Sequence, residues 1–224
     1  MCNKRKAYSS DELVYEKRYN ASLLFDFSDF ESYMDAFTHP PAPILSNDDP
    51  EAISLRNWGV VPPSWKKPKE AIWNGTINAK LEYFAKRYAW KDITHQRCLV
   101  PTSEYYEHHW NDAKGRSKTL YKVRHAEAAL FSIAGLWSDW ASPEGEVLKT
   151  YTLVTTQANE IMRFVHNKDA QKDYHRMPLM LNPEDEREWL DPKNDYNDFA
   201  FPKYQPRLSA APMEPPAATQ LRLF

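Results

Sequence analysis

The sequence predicts an α+β fold, with a mainly antiparallel, curled sheet or incomplete β-barrel and a few peripheral helices. Strand-like segments follow one another in runs instead of alternating with long helices, an order that favours α+β architecture. With 224 residues, of which 42% are hydrophobic, the chain can bury a core. We expect one domain over residues 1–200, followed by a loosely ordered tail over residues 201–224 that contains Pro and Ala.

The first half of the chain mixes one helix with irregular segments. Ser9-Ser10-Asp11-Glu12 has the pattern of a capping box, which predicts a helix that runs to about Tyr19. Residues 39–50 carry four prolines and are expected to form a loop. Residues 53–61 have strand character that ends at Pro62, because proline cannot continue a strand. Residues 79–96 are predicted to be partly helical, since apolar side chains recur on one side.

The second half is richer in strands. Residues 98–110 and 118–124 are predicted to form a hairpin around the turn-forming residues 111–116. Residues 129–137 and 149–156 give two further strands, joined by a turn at residues 142–145. A short helix is expected over residues 157–165. Asn182-Pro183-Glu184-Asp185 begins another helix, with a cap, a proline at the first position and acidic residues in the first turn.

Composition excludes several functional classes. The 5 glycines are widely separated, so the glycine-rich loops that bind nucleotide phosphates are absent. A net charge of −2 argues against a surface coated with positive charge, although it allows a local basic groove. The 2 cysteines form neither a disulfide framework nor a zinc motif, and we expect no metal or cofactor. Without an apolar leader or an apolar span, the chain is predicted to be intracellular and cytoplasmic.

Cys2 is the residue with the most distinctive potential chemistry. Removal of Met1 would leave a terminal cysteine whose α-amine and thiol sit on adjacent carbons. The ordinary pKa values of both groups lie near 8, so both are partly nucleophilic at neutral pH. Such an aminothiol can attack an amide carbonyl, or it can condense with an aldehyde and close to a thiazolidine. A terminal cysteine without function is the alternative on position alone.

Other polar candidates are scattered along the sequence. Glu107 lies among aromatic residues in a predicted strand, where partial desolvation would suit a general acid or base. His166 and His175 are candidates for groups that titrate near neutral pH. Asn78 has the position of a helix cap. For each of these residues, a purely structural or exposed role is the alternative.

Short basic clusters lie close to tryptophans in the sequence. Lys4 and Arg5 follow Cys2, and Lys66 and Lys67 follow Trp65 directly. Together with Trp58, these residues have the composition of a groove that binds single-stranded nucleic acid by stacking and charge. A solvated lysine loop over buried tryptophans explains the same pattern equally well.

Taken together, the motifs resemble the SOS response-associated peptidase (SRAP) family from Cys2 to about Leu190. Each motif is weak alone, but their order and spacing are specific. The motifs are Met1-Cys2, Asn57-Trp58-Gly59-Val60-Val61-Pro62, Asn78-Ala79-Lys80, Arg97-Cys98-Leu99-Val100-Pro101, Tyr105-Tyr106-Glu107, Ala134-Gly135-Leu136-Trp137, Thr155-Thr156-Gln157-Ala158-Asn159, His166-Asn167, Arg176-Met177-Pro178-Leu179 and Trp189-Leu190.

The resemblance implies binding to abasic sites in single-stranded DNA and a covalent thiazolidine crosslink through Cys2. It also implies that the protein removes its own Met1, with lyase activity as a further expectation. By resemblance, Asn78 would orient the cysteine and the sugar, and Glu107 would be the general acid/base. His166 would promote opening of the deoxyribose ring, with His175 as the second choice. The implied setting is the bacterial DNA damage response, with a cytoplasmic, monomeric protein at the nucleoid and no membrane partner.

At several positions this sequence departs from the pattern that the family usually shows. Cys2 is followed by Asn3-Lys4-Arg5 where the family usually has Gly-Arg-Phe, and Lys80 replaces an arginine. His108 replaces a tryptophan, and Tyr174 occupies the usual histidine position before Arg176. The expected DNA-binding set is Lys4, Arg5, Pro43, Trp58, Trp65, Lys66, Lys67 and Lys80. Two alternatives remain open: an N-terminal-nucleophile amidohydrolase or cysteine peptidase acting on other substrates, and a non-enzymatic module with an inert Cys2.

Overall fold

The structure, a computed structural model, describes residues 3–7, 12–168 and 175–213. Its strands are β1 (Lys4–Lys6), β2 (Ser22–Leu23), β3 (Tyr33–Asp35), β4 (Pro41–Ser46), β5 (Ala52–Trp58), β6 (Asn78–Lys80), β7 (Arg97–Thr102), β8 (Glu104–Trp110), β9 (Lys118–His125), β10 (Phe131–Ala141), β11 (Val147–Gln157), β12 (Arg176–Pro178), β13 (Met180–Leu181) and β14 (Leu208–Pro212). Its α-helices are α1 (Glu12–Tyr19), α2 (Glu160–Val165) and α3 (Glu186–Leu190).

A five-stranded barrel forms the centre of the molecule. Its strands follow the order β11, β10, β7, β4 and β5, with antiparallel pairing throughout this path. The barrel closes where β5 pairs in parallel with β11, so that Asn57 lies opposite Thr150 and Trp58 opposite Tyr151. Closure removes the free sheet edges that an open sheet would present. The predicted α+β class with a curled, largely antiparallel barrel is therefore confirmed.

A second, antiparallel sheet packs beside the barrel in the order β14, β9, β8, β1 and β3. The predicted hairpin is present as β8 and β9, with Trp110 opposite Lys118 across the turn. The predicted strand over residues 98–110 was too long, because the chain leaves the barrel at Ser103. There the backbone N–H of Ser103 donates to Lys6 O, and the chain passes from β7 into the second sheet as β8.

Two of the local expectations were wrong. Residues 39–50 contain β4 instead of a loop. Pro41 and Pro43 pair with β5, and β4 pairs with β7 only further along, at Leu45 and Ser46. The prolines therefore have no β7 neighbour to which an N–H would have to donate. Residues 79–96 form part of β6, a 3-10 turn over Leu81–Tyr83 and further turns instead of an α-helix. Leu81, Phe84 and Ile93 of this segment still point inward and are buried, whereas Tyr88 is exposed.

The helices agree better with the sequence. α1 runs to Tyr19 as expected, although the predicted capping box over residues 9–11 lies outside the described residues. α2 begins after Asn159, whose side chain accepts a hydrogen bond from Met162 N. Beyond residue 200, β14 pairs with β9, so this part of the expected tail joins the second sheet. None of the described helices is long and apolar enough to cross a membrane.

Candidate functional site

Asn78 and Lys80 share one face of β6. This short strand pairs in parallel with β11, with Asn78 opposite Leu153 and Lys80 opposite Thr155. Alternate residues of a strand point to the same face. Both side chains line a cavity of about 520 Å³. Asn78 Nδ2 also donates to Asn3 Oδ1 over 3.3 Å, so the described N-terminal end lies beside the cavity.

The first strand directs the chain toward this cavity. β1 lies between β3 and β8, with Lys4 opposite Asp35 on one side and Tyr106 on the other. Asn3 O accepts a hydrogen bond from Ala36 N over 2.8 Å, which extends the pairing by one residue. Cys2 precedes this anchor and lies outside the described residues, so its role as the nucleophile stays a prediction.

Glu107 and His166 come together from two different elements. Glu107 lies half-buried on β8, and its Oε1 accepts the backbone N–H of His108 over 3.1 Å. His166 is buried at the C-terminal end of α2, where its N–H donates to Met162 O over 2.8 Å. Burial lowers the pKa of His166, whereas the Glu107 carboxylate and a hydrogen bond with the Arg176 backbone raise it. The site thus pairs an acid with a histidine that favours its neutral form.

Asn167 fixes the segment that carries His166 onto β8. Its Oδ1 accepts the Trp110 N–H over 2.7 Å, and its Nδ2 donates to Trp110 O over 2.9 Å. The side chain therefore binds the β8 backbone much as a neighbouring strand would. This contact sets the distance between α2 and the strand that holds Glu107, and no signal other than the His166-Asn167 motif pointed to it.

His175 occupies a different position from His166. Its Nδ1 donates to the backbone carbonyl of His166 over 2.7 Å, so this ring nitrogen is already used to hold the segment. The next residue, Arg176, is buried on β12 and donates to Glu82 Oε2 and to Thr155 O. These contacts hold Arg176 against Thr155 of β11 and against Glu82. The assignment of His166 as the catalytic histidine, with His175 as the second choice, stays a prediction.

Four further residues that the sequence analysis did not single out line the same cavity. They are Tyr83, Lys86, Arg87 and Tyr88, in the turns that follow β6. Together with Lys80 they give the cavity positive charge and aromatic surface, the combination that binds single-stranded nucleic acid. The prediction for residues 79–96 rested on the spacing of apolar residues, which concerns the buried side of the segment and does not indicate that these side chains share a cavity.

The loop that carries Trp65, Lys66 and Lys67 adjoins this wall of the cavity. Its Ser64 Oγ lies 2.9 Å from Tyr88 Oη, and the rings of Trp65 and Tyr88 are 6.1 Å apart. Lys66 and Lys67 are exposed, whereas Trp65 is half-buried. Lys66 and Lys67 line a separate, smaller cavity of about 210 Å³ together with Glu144 and Glu146, so their contact with DNA beside Lys80 stays a prediction.

Three residues expected to contact DNA are buried, which corrects that part of the prediction. Arg5 is 0% exposed, and its guanidinium donates to Pro101 O over 2.9 Å and to Tyr151 Oη over 3.1 Å. Trp58 is also 0% exposed and packs 5.5 Å from the Arg5 guanidinium. Pro43 is buried in β4. Lys4 is half-buried and lies 3.6 Å from the Asp35 carboxylate.

The remaining titratable groups define no metal centre in the described part of the chain. Among those residues, no three His, Cys, Asp or Glu side chains are grouped so as to hold an ion. Cys98 is 0% exposed, and burial raises the pKa of its thiol, so it stays protonated and unreactive.

Comparison with known proteins places this arrangement in a family. The SOS response associated peptidase (SRAP) family model matches residues 1–215. The abasic site processing protein YoqW of Bacillus subtilis is 30% identical over 207 residues, which cover 92% of this chain and 87% of that protein. The abasic site processing protein YoaM of the same organism is 29% identical over 201 residues, which cover 89% of this chain and 83% of that protein.

A solved structure gives the same fold. A protein from Bacteroides thetaiotaomicron superimposes with a TM-score of 0.79 at 23% identity, covering 95% of this chain and 92% of that one. The family model extends over nearly the whole sequence, including the barrel, the second sheet and every candidate site residue. The chain belongs to the SRAP family.

Proposed function

We propose that this member of the SRAP family processes abasic sites in single-stranded DNA and forms a covalent thiazolidine crosslink through Cys2 during the DNA damage response. One observation carries the proposal. Asn78 lines a cavity with positive charge and donates to Asn3, the register of β1 on β8 brings Glu107 level with Asn3, and the Glu107 carboxylate acts electrostatically on His166 at the end of α2. The names of the relatives as abasic site processing proteins supply the substrate class.

The proposed reaction balances without a cofactor. The opened deoxyribose of an abasic site carries an aldehyde at C1′. The α-amine of Cys2 attacks this carbon, and loss of the carbonyl oxygen as water gives an imine. The Cys2 thiol then adds across the C=N bond, forming a C–S bond and returning a proton to nitrogen. The five-membered thiazolidine that results contains both nucleophiles of the residue.

Asn78, Glu107 and His166 have distinct proposed roles. Asn78, through its amide, orients the terminal residue and the sugar. Glu107 moves protons at the amine and assists removal of Met1, since a half-buried carboxylate beside a histidine suits a general acid/base. His166 promotes ring opening by proton transfer at the sugar oxygen. Its neutral form, favoured by burial, can accept a proton at neutral pH.

Single-stranded DNA is proposed to bind along the side of the cavity that extends from Asn78 to Tyr88. Lys80, Lys86 and Arg87 would contact phosphates, and Tyr83 and Tyr88 would stack on bases. The exposed Lys66 and Lys67 would extend the same path. We propose that the protein acts as a monomer on DNA in the bacterial nucleoid, and that elimination at the lesion, a lyase activity, accompanies crosslinking.

The decisive test is a crosslinking assay on purified protein. Intact mass first reports whether Met1 has been removed. A single-stranded oligonucleotide with one abasic site should then give a covalent shift, which a Cys2→Ala variant should lose. Asn78→Ala, Glu107→Gln and His166→Gln should slow formation of the adduct, and His175→Gln tests the second-choice histidine in the same assay.

An adduct of normal yield with Cys2→Ala would overturn the thiazolidine mechanism. Amide turnover without any DNA adduct would instead favour the amidohydrolase alternative.

A further inference from the structure

Lys80 has the position of a reactive group in the cavity as well as that of a phosphate contact. It lies two residues after Asn78 on the same face of β6, and both side chains line the same cavity of about 520 Å³. Its ammonium nitrogen is 5.8 Å from the centre of the Tyr83 ring, so an aromatic surface covers one side of the group. A sugar oriented by Asn78 would therefore stand next to this amine.

The surroundings of Lys80 make loss of its proton easier than for an exposed lysine. Burial lowers the pKa of Lys80, and the guanidinium groups of Arg176 and Arg87 lower it further, whereas Glu82 raises it. Glu82 has the smallest of these effects, and its Oε2 accepts a hydrogen bond from Arg176 over 2.7 Å. The unprotonated fraction of an amine at neutral pH rises about tenfold for each unit by which its pKa falls. Free amine is the form that attacks carbonyl carbon.

We propose that Lys80 is a second carbonyl-reactive amine of the cavity, which forms an imine with the aldehyde of an opened abasic site. The Lys80 nitrogen bonds to C1′, and the carbonyl oxygen leaves as water after taking up two protons. The adduct is reversible by hydrolysis, and it cannot close to a thiazolidine because lysine has no thiol. An arginine at this position would supply the charge without this chemistry.

The DNA part of this inference rests on the proposed function, so the first measurement uses no DNA. Formaldehyde and cyanoborohydride methylate free amines, and peptide mapping reports the rate at each lysine. Near neutral pH, Lys80 is expected to react several-fold faster than the exposed Lys66 and Lys67. The difference should shrink as the pH approaches the ordinary pKa of lysine. A Lys80 rate equal to or below those of the exposed lysines would overturn the proposal.

The second measurement tests the same amine against the lesion. The protein is incubated with an abasic single-stranded oligonucleotide and borohydride, and the reduced adduct is mapped after digestion at acidic residues. We expect one adduct on the N-terminal peptide and another on Lys80, with the Lys80 share increased in Cys2→Ala. Lys80→Arg should lower the trapped yield in the Cys2→Ala background, whereas Lys193→Arg, an exposed site after α3, should not.

The methylation and trapping measurements distinguish failure of the Lys80 inference from failure of the proposed function. Absence of any adduct with abasic DNA would contradict the proposed function, and the methylation rates would still decide whether Lys80 is reactive. Adducts that map only to the N-terminal peptide would contradict the role of Lys80 at the lesion and leave the Cys2 mechanism intact.

Discussion

Asn167 offers the sharpest test of how the site is assembled, through the substitution Asn167→Ala. The wild-type amide makes two hydrogen bonds with the backbone of Trp110, at 2.7 and 2.9 Å. Alanine removes both bonds, so that the backbone N–H and C=O of Trp110 must hydrogen-bond with water instead. Since the contact joins the end of α2 to β8, its loss should affect both stability and the placement of His166 against Glu107.

The expected size of the stability effect follows from the two bonds. Each is worth about 0.5–1.5 kcal/mol, so the variant should lose about 1–3 kcal/mol of unfolding free energy. In a protein of this length, a loss of about 2 kcal/mol lowers the melting temperature by about 4–8 °C. Asn167→Asp keeps the acceptor for Trp110 N but sets a carboxylate against Trp110 O. Its stability should therefore be no better than that of the alanine variant.

Urea unfolding and the abasic-site crosslinking rate, measured on the same preparation, check this prediction. At a temperature where the variant stays folded, crosslinking should slow by about tenfold to a hundredfold, because small displacements of positioned groups have large effects on rate. Asn111→Ala is the matched control, since among the described residues its side-chain amide hydrogen-bonds with Ser117 in the turn after β8 and with Thr119 in β9, both at exposed positions of the hairpin. An Asn167→Ala variant as stable and as fast as the wild type would refute the assembly described above.

Three other predictions concern titration, thiol reactivity and charge. Burial lowers the pKa of His125, so the unfolded chain binds the proton more tightly and stability should fall as the pH drops below about 6.5. Urea unfolding at about pH 7 and about pH 5.5 should show a smaller loss for His125→Gln than for the wild type. Cys98 should resist iodoacetamide in the folded protein and react once denaturant is added, and rapid native labelling would contradict its burial. Lys86→Gln and Arg87→Gln should each weaken binding to single-stranded DNA and reduce the salt slope by about 0.7, as fluorescence anisotropy would report, whereas Lys193→Gln should change neither.

The sequence predicted best those elements whose signals are local. The turn-forming run over residues 111–116 forms the β8–β9 hairpin, and a helical segment begins after Asn182 as expected, with Pro183 in its first turn but without a capping bond from the Asn182 side chain. These features depend on a few neighbouring residues. By contrast, the closing contact between β5 and β11 joins residues almost a hundred positions apart, and no local pattern encodes it.

The sequence did not predict that Lys86 and Arg87 line one cavity with Lys80, for a related reason. Leu81, Phe84 and Ile93 are buried as their spacing predicts, whereas Tyr88, which was expected on the same side, is 45% exposed and lines the cavity. The same spacing is compatible with a helix and with a series of tight turns, because both bring every third or fourth residue to one side. Only the turns place Lys86 and Arg87 in the cavity that Asn78 enters.

The basic run Lys4-Arg5-Lys6 shows most clearly why composition alone misplaces a binding residue. A strand sends alternate side chains to opposite faces, and β1 buries Arg5 while its two lysine neighbours stay half-buried or exposed. Arg5 then binds Pro101 O and Tyr151 Oη inside the molecule. This buried charge ties β1 to the barrel three residues after Cys2. Because the anchor fixes where β1 begins, we infer that Arg5 serves the site by holding Asn3 beside Asn78, without touching DNA.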